Sequence, residues 1–324
     1  MMKLRYLFNN LDLARMLVSN WEYDADSLDL FQYFRISANA IYPFRIRGEV
    51  CFLRFCPTSE KAKEQVLAEL ELIHYLRSNR YPALEPVPAK NGEELVQKDT
   101  PWGGYYASVF KRVSGKPISE AGFEESIMFA YGAALGELHA LTQAYTAPQI
   151  RRWSHVDVFD WIETVLHSLP SQEPALRELG RLREACSHLP CSPEVYGLIH
   201  YDFELDNVFY DQTSRTCSVI DFDDAVYHWY LMDIVQALDS LQDEVPPDEL
   251  PAKRAAFLEG YRSKFPVDEA LFTAMPLFRR FAGLYKYARI ARSVQEQWEH
   301  EPEWLVNLRQ KLARVQSKQM ENFL

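Results

Sequence analysis

Cysteine is scarce in this 324-residue chain: there are five, an odd number, and no two of them form a CxxC pair. The pattern suggests neither a disulfide framework nor a zinc site, and we expect reduced, buried thiols. No run of 18 or more apolar residues is present, which argues against a membrane-spanning helix. The N-terminus also lacks the apolar core and small-residue cleavage site of a secretion signal. We therefore expect a cytoplasmic protein with no membrane partner.

Positive charge is also in short supply. Lys and Arg total 35 against 46 Asp and Glu, the formal net charge is -11, and no block of Lys and Arg stands out. Nucleic acid is therefore not an expected partner, because its binding depends on neutralising phosphates. The chain is 48% hydrophobic and 25% charged, which is typical of a folded protein large enough for two packed units.

The first third of the chain favours strands and the remainder favours helices. Between about residues 31 and 113, the runs YFRIS, YPFRIRGEVCFLRF and YYASVFKRV predict a small antiparallel sheet, with one main helix predicted over 60–79. From residue 114 onward, apolar residues recur every three or four positions, interrupted by two short predicted strands at 196–200 and 217–221. We expect an α+β protein with an N-terminal lobe (1–113), a larger helical lobe (114–324) and a ligand cleft at their junction.

Carboxylates are concentrated where the two short strands of the helical half end. Residues 196–224 read YGLIHYDFELDNVFYDQTSRTCSVIDFDD and hold seven acids against one cation, Arg215. Like charges held this close repel one another, so such a cluster usually has a cation, a metal ion or a proton between its members.

The spacing within this stretch matches the residues that phosphoryl transfer requires. Asn207 lies five residues after Asp202, and Asp221 follows Asn207 by fourteen. In kinases, a loop Asp accepts the proton of the substrate hydroxyl, while an Asn five residues on and a later Asp hold magnesium. Magnesium prefers oxygen ligands from carboxylates, amides and phosphates. The pattern predicts a kinase with ATP and Mg²⁺ as cofactors, Asp202 as the base, and Asn207 and Asp221 as metal ligands.

At these residues the chain resembles the aminoglycoside phosphotransferase and choline kinase superfamily, the small-molecule branch of the protein-kinase-like fold. The segment SVIDFDDAVYHWYLMDIVQAL is similar to the family's metal-binding segment, followed by an Asp, here Asp233, that steadies the catalytic loop. GAALGELHALT (132–142) and RRW (151–153) resemble further recurrent elements. The resemblance implies a bilobal protein-kinase-like fold and phosphorylation of a hydroxyl on a small molecule.

The resemblance also implies nucleotide contacts in the N-terminal lobe. SANAIY (37–42) is similar to the strand turn that covers the nucleotide, with Asn39 and Tyr42 at its marked positions, although the chain has no GxGxxG. The hinge that would receive adenine consists of Phe110, Lys111 and Val113.

A cation and an acid of this lobe take the positions of the kinase lysine–glutamate pair. Arg54 stands where kinases carry a phosphate-binding Lys, and Arg keeps both the charge and the hydrogen-bond donors for phosphate. Glu69 matches the helix Glu that pairs with it, and Glu71 is a nearby competitor.

Other residues of the motif region have weaker assignments. Asp223, where protein kinases have Gly, is a further candidate metal ligand, and His200 is expected to brace the catalytic loop. Glu204 has no assigned role. We interpret Asp206, Asp211 and Asp224 as solvated loop acids and His139 as a hydrogen-bonded core residue. The aromatic residues at 227–230 either pack or line a substrate pocket, and residues 278–292 predict a core helix with snorkelling cations rather than a membrane-surface helix.

The acceptor is the least determined part of the prediction. Helical sequence resumes soon after Asp224, which leaves no room for a long activation loop and favours a small substrate over a protein. The surplus of acids hints at a cationic acceptor such as an aminoglycoside, an amino alcohol or an amino acid. The alternatives are a catalytically silent member that binds a nucleotide or a protein as a scaffold and, less favoured, a protein Ser/Thr kinase.

Overall fold

The structure, a computed structural model, describes residues 2–146, 150–267 and 269–323. Its strands are β1 (Arg35–Ile36), β2 (Ala40–Ile46), β3 (Glu49–Pro57), β4 (Pro86–Val87), β5 (Val96–Thr100), β6 (Gly103–Lys111), β7 (Lys116–Pro117), β8 (Tyr196–Ile199), β9 (Val208–Asp211), β10 (Thr216–Val219) and β11 (Val226–Trp229). Its helices are α1 (Leu11–Val18), α2 (Lys63–Ser78), α3 (Ile118–Ala121), α4 (Glu125–Gln143), α5 (His155–His167), α6 (Glu173–Ser187), α7 (Leu231–Glu244), α8 (Leu250–Arg262), α9 (Met275–Val294) and α10 (Glu303–Glu321).

The N-terminal lobe is an antiparallel sheet whose two faces have different roles. Its strand order is β1-β2-β3-β6-β4, with β5 also paired to β6. Because side chains alternate along a strand, Leu53 and Phe55 of β3 enter an apolar core beneath α1, together with Trp21. Arg54 lies on the opposite face and meets Glu69 of α2. One face therefore holds the lobe together, and the other supplies polar groups to the cleft.

Helix α2 belongs to both halves of the molecule. Glu69 on one side is buried against the sheet, while Leu72, Ile73 and Leu76 join the large core of the C-terminal half. The guanidinium of Arg152 donates to the carbonyl of Ala68, which attaches the helix to the same half. The single helix predicted for this lobe is therefore also a wall of the larger one.

The C-terminal half is mainly helical, as predicted, with two small sheets that carry the site. Strand β8 pairs with β11, and β9 pairs with β10 and β7, all antiparallel. Strands β9 and β11 were not predicted, because β9 lies among the acids and β11 reads as the start of a helix. The strands at 196–200 and 217–221 correspond to β8 and, in part, to β10.

The N-terminal segment crosses to the other end of the chain. Leu4 is fully buried with Ile290, Leu305 and Leu312 of α9 and α10, and Lys3 and Arg5 both pair with Glu296. Across the described residues, no helix is long and apolar enough to cross a membrane. The five cysteines are free, and four of them are buried.

Candidate active site

The loop after β8 is held in place by one buried carboxylate. Asp233, the first-turn acid of α7, accepts hydrogen bonds from the backbone N–H groups of His200 and Tyr201, both at 2.8 Å. Its other partner is His139 Nε2, at 3.1 Å, whose Nδ1 meets the Tyr261 hydroxyl at 2.8 Å. Tyr201 has a φ of 67°, a left-handed conformation that costs energy in a non-glycine residue. Asp233 therefore fixes a strained turn, and His139 is a hydrogen-bonded core residue as expected.

His200 braces the same loop from inside. Its Nε2 lies 2.8 Å from the carbonyl oxygen of Ile220, and its Nδ1 accepts the N–H of Asp202 at 3.2 Å. The imidazole thus links the end of β8 to the residue before Asp221. Burial lowers the pKa of His200, so the ring stays neutral and is suited to bracing.

Asp202 and Asn207 are in direct contact. Asn207 Nδ2 donates to the Asp202 carbonyl oxygen at 2.9 Å and to its carboxylate at 3.0 Å. Burial, followed by repulsion from Asp224 and Glu204, raises the pKa of Asp202 to about 7. A carboxylate with a pKa near neutrality can both accept and release a proton under working conditions. The site therefore contains a positioned acid–base group.

Asp221 meets the N-terminal lobe through Arg54. The two terminal nitrogens of Arg54 bind the Glu69 carboxylate at 2.7 and 2.5 Å, and Nη1 lies 3.7 Å from Asp221 Oδ1. Asp221 has a φ of 66°, a left-handed backbone turn at the start of the predicted metal-binding segment. Glu71 is not the partner of Arg54, because its carboxylate accepts the Tyr145 hydroxyl at 2.6 Å. The open choice between the two acids is thus resolved in favour of Glu69.

Asp223 has protein partners from the other lobe. Lys61, in the loop between β3 and α2, forms an ion pair with Asp223 Oδ2, and Asn39 Nδ2 donates to the same oxygen at 2.9 Å. Although burial opposes ionisation, Lys61 and Arg54 lower the pKa of Asp223. Asp223 therefore joins the two lobes across the cleft, and its role as a metal ligand stays a prediction.

The oxygen atoms of Asn207 and Asp221 fit a divalent cation. The side-chain nitrogen of Asn207 is bound to Asp202, so its side-chain oxygen is the atom that could serve as a ligand. The N–H of Ile220 donates to the backbone carbonyl of Asn207 at 3.0 Å. Burial and repulsion from Asp223 raise the pKa of Asp221 well above its ordinary value, a cost that a bound cation would remove. Among the described residues, no group of three His, Cys, Asp or Glu side chains could hold an ion alone. An ion here would need further oxygen ligands, such as phosphates.

Tyr42 lies away from the cleft. Its ring stacks between Phe34 and Phe55 in the core of the N-terminal lobe, and its hydroxyl donates to Asn9 Oδ1 at 2.8 Å. The reason is strand register: Ile41 is the partner of Arg54 across β2 and β3, so Tyr42 must point to the other face. Only Asn39 of the predicted pair reaches the site.

The predicted hinge residues lie at the junction of the two lobes. The Phe110 ring lies under the guanidinium of Arg54, at 4.7 Å from ring centroid to Cζ. Lys111 donates its backbone N–H to the Glu85 carbonyl at 2.9 Å and pairs with the Glu85 carboxylate. Val113 is half-buried against the large core.

Several acids that we interpreted as solvated have specific partners. Asp224 binds Arg289 of α9 at 2.9 Å, and Asp206 accepts the Ser119 hydroxyl at 2.7 Å. Asp211 accepts the N–H of Thr213 at 2.8 Å in the turn after β9. The interpretation was therefore wrong for Asp224, and the free negative charge is smaller than the sequence indicates.

The remaining predicted features serve mainly as packing. His228, Trp229 and Tyr230 are buried, and only Tyr227 of the 227–230 group is half-buried. Residues 278–292 lie within α9, whose Phe278, Phe281 and Leu284 are buried in the large core. The prediction of a core helix is confirmed. Sequence reasoning missed Lys61 and Arg289, which reach the site from loops or helices distant in sequence.

Comparisons with known proteins identify the family of the chain. Residues 39–266 match the phosphotransferase enzyme family. An amicoumacin kinase of Bacillus subtilis (strain 168) is 23% identical over 270 residues, which are 81% of this chain and 80% of that protein.

Two solved structures share the fold over nearly the whole chain. An amicoumacin kinase in complex with AMP-PNP and Ca²⁺ has a TM-score of 0.78 at 21% identity and covers 98% of this chain and 95% of its own. A microcompartment-associated aminopropanol kinase has a TM-score of 0.72 at 22% identity and covers 97% of each chain. These findings confirm the predicted superfamily, the kinase-like fold and a phosphotransferase enzyme. Since the family match spans well over half of its residues, the chain belongs to the phosphotransferase enzyme family.

Proposed function

We propose that the protein is a small-molecule kinase that transfers the γ-phosphoryl group of ATP, with Mg²⁺, to a hydroxyl of its acceptor. The observation that carries the proposal is the meeting of Asp202, Asn207 and Asp221 beside the Arg54–Glu69 pair. The bound AMP-PNP and Ca²⁺ of the similar kinase support a nucleotide and a divalent ion in this cleft.

Each residue of the site has a defined task in this reaction. Asp202 accepts the proton of the acceptor hydroxyl, and its contact with Asn207 holds the carboxylate in one orientation. Asn207 and Asp221 would hold the divalent ion, which offsets the charge of the phosphate oxygens when it is bound. Arg54, aligned by the Glu69 carboxylate, adds positive charge on the side of the N-terminal lobe.

The hinge offers a backbone group for adenine. The N–H groups of Lys111 and Arg112 are taken by the carbonyls of Glu85 and Val50. The Val113 N–H makes no backbone hydrogen bond within the described residues. We assign the hydrogen bonds to the edge of the adenine ring to the backbone of Val113 and its neighbours. Phe110 and Arg54 then lie at the inner end of the nucleotide site.

The acceptor we favour carries an amino group. Asp223, Asp224 and Asp206 have partners, but the Glu204 carboxylate makes no ion pair or hydrogen bond in the part of the chain that the structure describes. Glu204 lies two residues from Asp202, and Lys286 and Arg289 interact electrostatically with its carboxylate. An ammonium group would therefore pair with Glu204. The name of the aminopropanol kinase is consistent with this class. Free thiols further suit a cytoplasmic setting.

A panel of acceptors tests the proposal most directly. Amino alcohols, aminoglycosides and hydroxyl-bearing amino acids are compared with neutral and anionic alcohols, with phosphate transfer from ATP followed in the presence of Mg²⁺. We expect transfer to at least one amino-bearing compound. Transfer to neutral or anionic acceptors alone would remove the ammonium assignment. Nucleotide binding without transfer to any acceptor would favour a catalytically silent scaffold.

Variants of the acids separate catalysis from nucleotide binding. Asp202→Asn is expected to keep ATP binding and lose about a hundredfold or more of kcat, because the general base is gone. Asp221→Ala is expected to lose the Mg²⁺-dependent part of ATP binding. Asp211→Asn is the matched control, since its side chain only caps the turn after β9. Turnover of Asp202→Asn at the wild-type rate would show that the base is misassigned.

A further inference from the structure

We propose that Lys61 is a phosphate-contacting residue of the nucleotide site, aimed at the phosphates by Asp223. The inference deepens the proposed function and rests on its nucleotide site. Lys61 lies in the loop after β3, and its ammonium group pairs with Asp223 in the cleft. The side chains are 19% and 5% exposed, respectively, so the pair is largely shielded from water.

Arg54, the cation that the N-terminal sheet supplies to the cleft, already has partners. Both terminal nitrogens of Arg54 bind Glu69, and the guanidinium is stacked on Phe110. Arg54 as a whole is only 8% exposed. It therefore lies at the inner end of the site, and phosphates nearer the cleft entrance need another donor.

The turn at residues 37–39, which would cover the nucleotide, contains no glycine whose backbone N–H could approach the phosphates closely. Residues 37–39 are Ser, Ala and Asn, and the side chain of Asn39 is turned onto Asp223. Asn39 and Lys61 therefore converge on one carboxylate, two residues from the metal-binding Asp221. Phosphates bound by an ion at Asn207 and Asp221 would arrive beside this group.

Lys61 has the chemistry and the support for the task. An ammonium group has three donors, and the pair with Asp223 uses one of them. A lysine acts as a point charge toward phosphate, as in other phosphate sites. Its neighbour Glu60 pairs with Arg292 of α9 at 2.9 Å and is 5% exposed at the side chain. The contact with α9 thus attaches the loop to the larger lobe and restricts where the Lys61 ammonium group can lie.

The competing role for Lys61 is a purely structural link between the lobes. The two roles differ in how binding depends on the number of phosphates. A phosphate contact affects ATP and ADP strongly and AMP little. A structural link affects all three nucleotides alike, because it acts on the shape of the whole cleft.

Binding of ATP, ADP and AMP to Lys61→Gln by calorimetry, with Mg²⁺ present, tests the inference. We expect the Kd for ATP to rise about tenfold or more, as on losing a charge-assisted hydrogen bond, and the Kd for AMP to stay within about twofold. Lys63→Gln is the matched control, since Lys63 is exposed at the start of α2 and should bind ATP like the wild type. Equal losses for ATP and AMP, or no loss for either, would overturn the proposal.

A second measurement uses the wild-type chain and so does not depend on the folding of a variant. Lysine acylation followed by mass spectrometry is expected to slow at Lys61 when ATP and Mg²⁺ are added and to stay unchanged with AMP. Lys63 should react at one rate throughout. An acylation rate at Lys61 that does not change when ATP and Mg²⁺ are added contradicts the inference. If the chain binds ATP but phosphorylates no acceptor, the proposed function fails. The Kd values would still show whether Lys61 contacts the phosphates.

Discussion

Asp202 titrates near neutrality because of what surrounds it. Burial is the largest cause of its raised pKa, and Asp224, Glu204 and Asp223 add repulsion, while Arg289 acts in the opposite direction. The pKa of about 7 compares with an ordinary value of 3.8. The group is thus protonated over a range of pH in which an aspartate of ordinary pKa would be charged.

Activity should follow this titration. A base must be ionised to accept a proton, so kcat/KM for the acceptor is expected to fall about tenfold per pH unit below an inflection at or below about pH 7. An ion bound at Asp221 would lower the inflection, because positive charge favours the carboxylate. A rate profile measured from pH 5 to 9 checks this. A fall at low pH that is the same in Asp202→Asn as in the wild type contradicts the role of Asp202.

The stability of the fold should also depend on the ionisation of Asp202, and the direction of this dependence follows from the raised pKa. Because the folded-state pKa is raised, the folded chain holds the proton more tightly than the unfolded chain, and this favourable contribution is lost as pH rises from about 4 through about 7. Asp202→Asn stays neutral, so its Tm relative to the wild type should be higher at about pH 8 than at about pH 5. The measurement is made with a chelator present. Equal Tm differences at the two pH values would exclude the raised pKa.

The residues that the sequence predicted and those that it missed differ in one physical respect. Asp202, Asn207 and Asp221 form a local pattern with fixed spacing, which can be recognised in the amino-acid sequence. Lys61 reaches Asp223 across 162 positions, a contact that only the folded chain creates. The prediction for Tyr42 failed to account for alternation, since strand register places it on the face opposite Arg54.

At the scale of elements, the closest packing in the larger half is between α4 and α8. A β-carbon added at Gly132 would lie 1.8 Å from the carbonyl oxygen of Phe257, and one added at Gly260 would lie 1.9 Å from that of Phe129. Each helix therefore needs glycine where the backbone of the other approaches. Helix α4 also carries His139, which binds Asp233, so this packing affects where the loop after β8 is held.

Alanine substitutions test the close approach. Gly132→Ala is expected to destabilise the fold by about 1–3 kcal/mol or more, because a helix backbone must shift. Gly180→Ala on α6 is the control: no atom lies within 4 Å of its added β-carbon. It should be neutral or stabilising by about 0.5–1 kcal/mol. Urea unfolding measures both, and equal effects of the two changes would contradict the packing argument.

Elements with a strong period were predictable, and short or capped ones were less so. The long helices of the second half follow apolar spacing, and α2 lies within the predicted range. Helix α1 was missed although Asn10 is a helix-capping residue whose side chain accepts the Leu13 N–H at 2.9 Å. Strands β9 and β11 are four residues each, like the predicted β8 and β10, but β9 lies among the acids and β11 reads as the start of a helix.

At the scale of the whole molecule, the two ends of the chain are packed together. Leu4 fills a cluster with α9 and α10, and α9 in turn carries Arg289 and Arg292, which bind Asp224 and Glu60. The N-terminal segment, the last helices and both sides of the cleft are therefore one connected set of contacts. The surfaces nearest the site depend on residues far from it in sequence.

Truncation of Leu4 tests this connection. Leu4→Ala should cost about 2–5 kcal/mol of stability, the range for removing a buried leucine side chain. Leu11→Ala is the control, because Leu11 is 36% exposed and should change stability by about 0.5 kcal/mol or less. Thermal unfolding compares the two variants. A loss as small for Leu4 as for Leu11 would show that the N-terminal segment is not anchored.

The position of α2 has a consequence for control of the enzyme. In protein kinases, activity is switched by moving the equivalent helix so that its glutamate leaves the phosphate-binding residue. Here Leu72, Ile73 and Leu76 are embedded in the opposite half, and swinging the helix outward would expose them to water. We therefore expect regulation by outward movement of α2 to be disfavoured in this protein. Its rate in the cell would then depend on the concentrations of acceptor and nucleotide and on the amount of the protein.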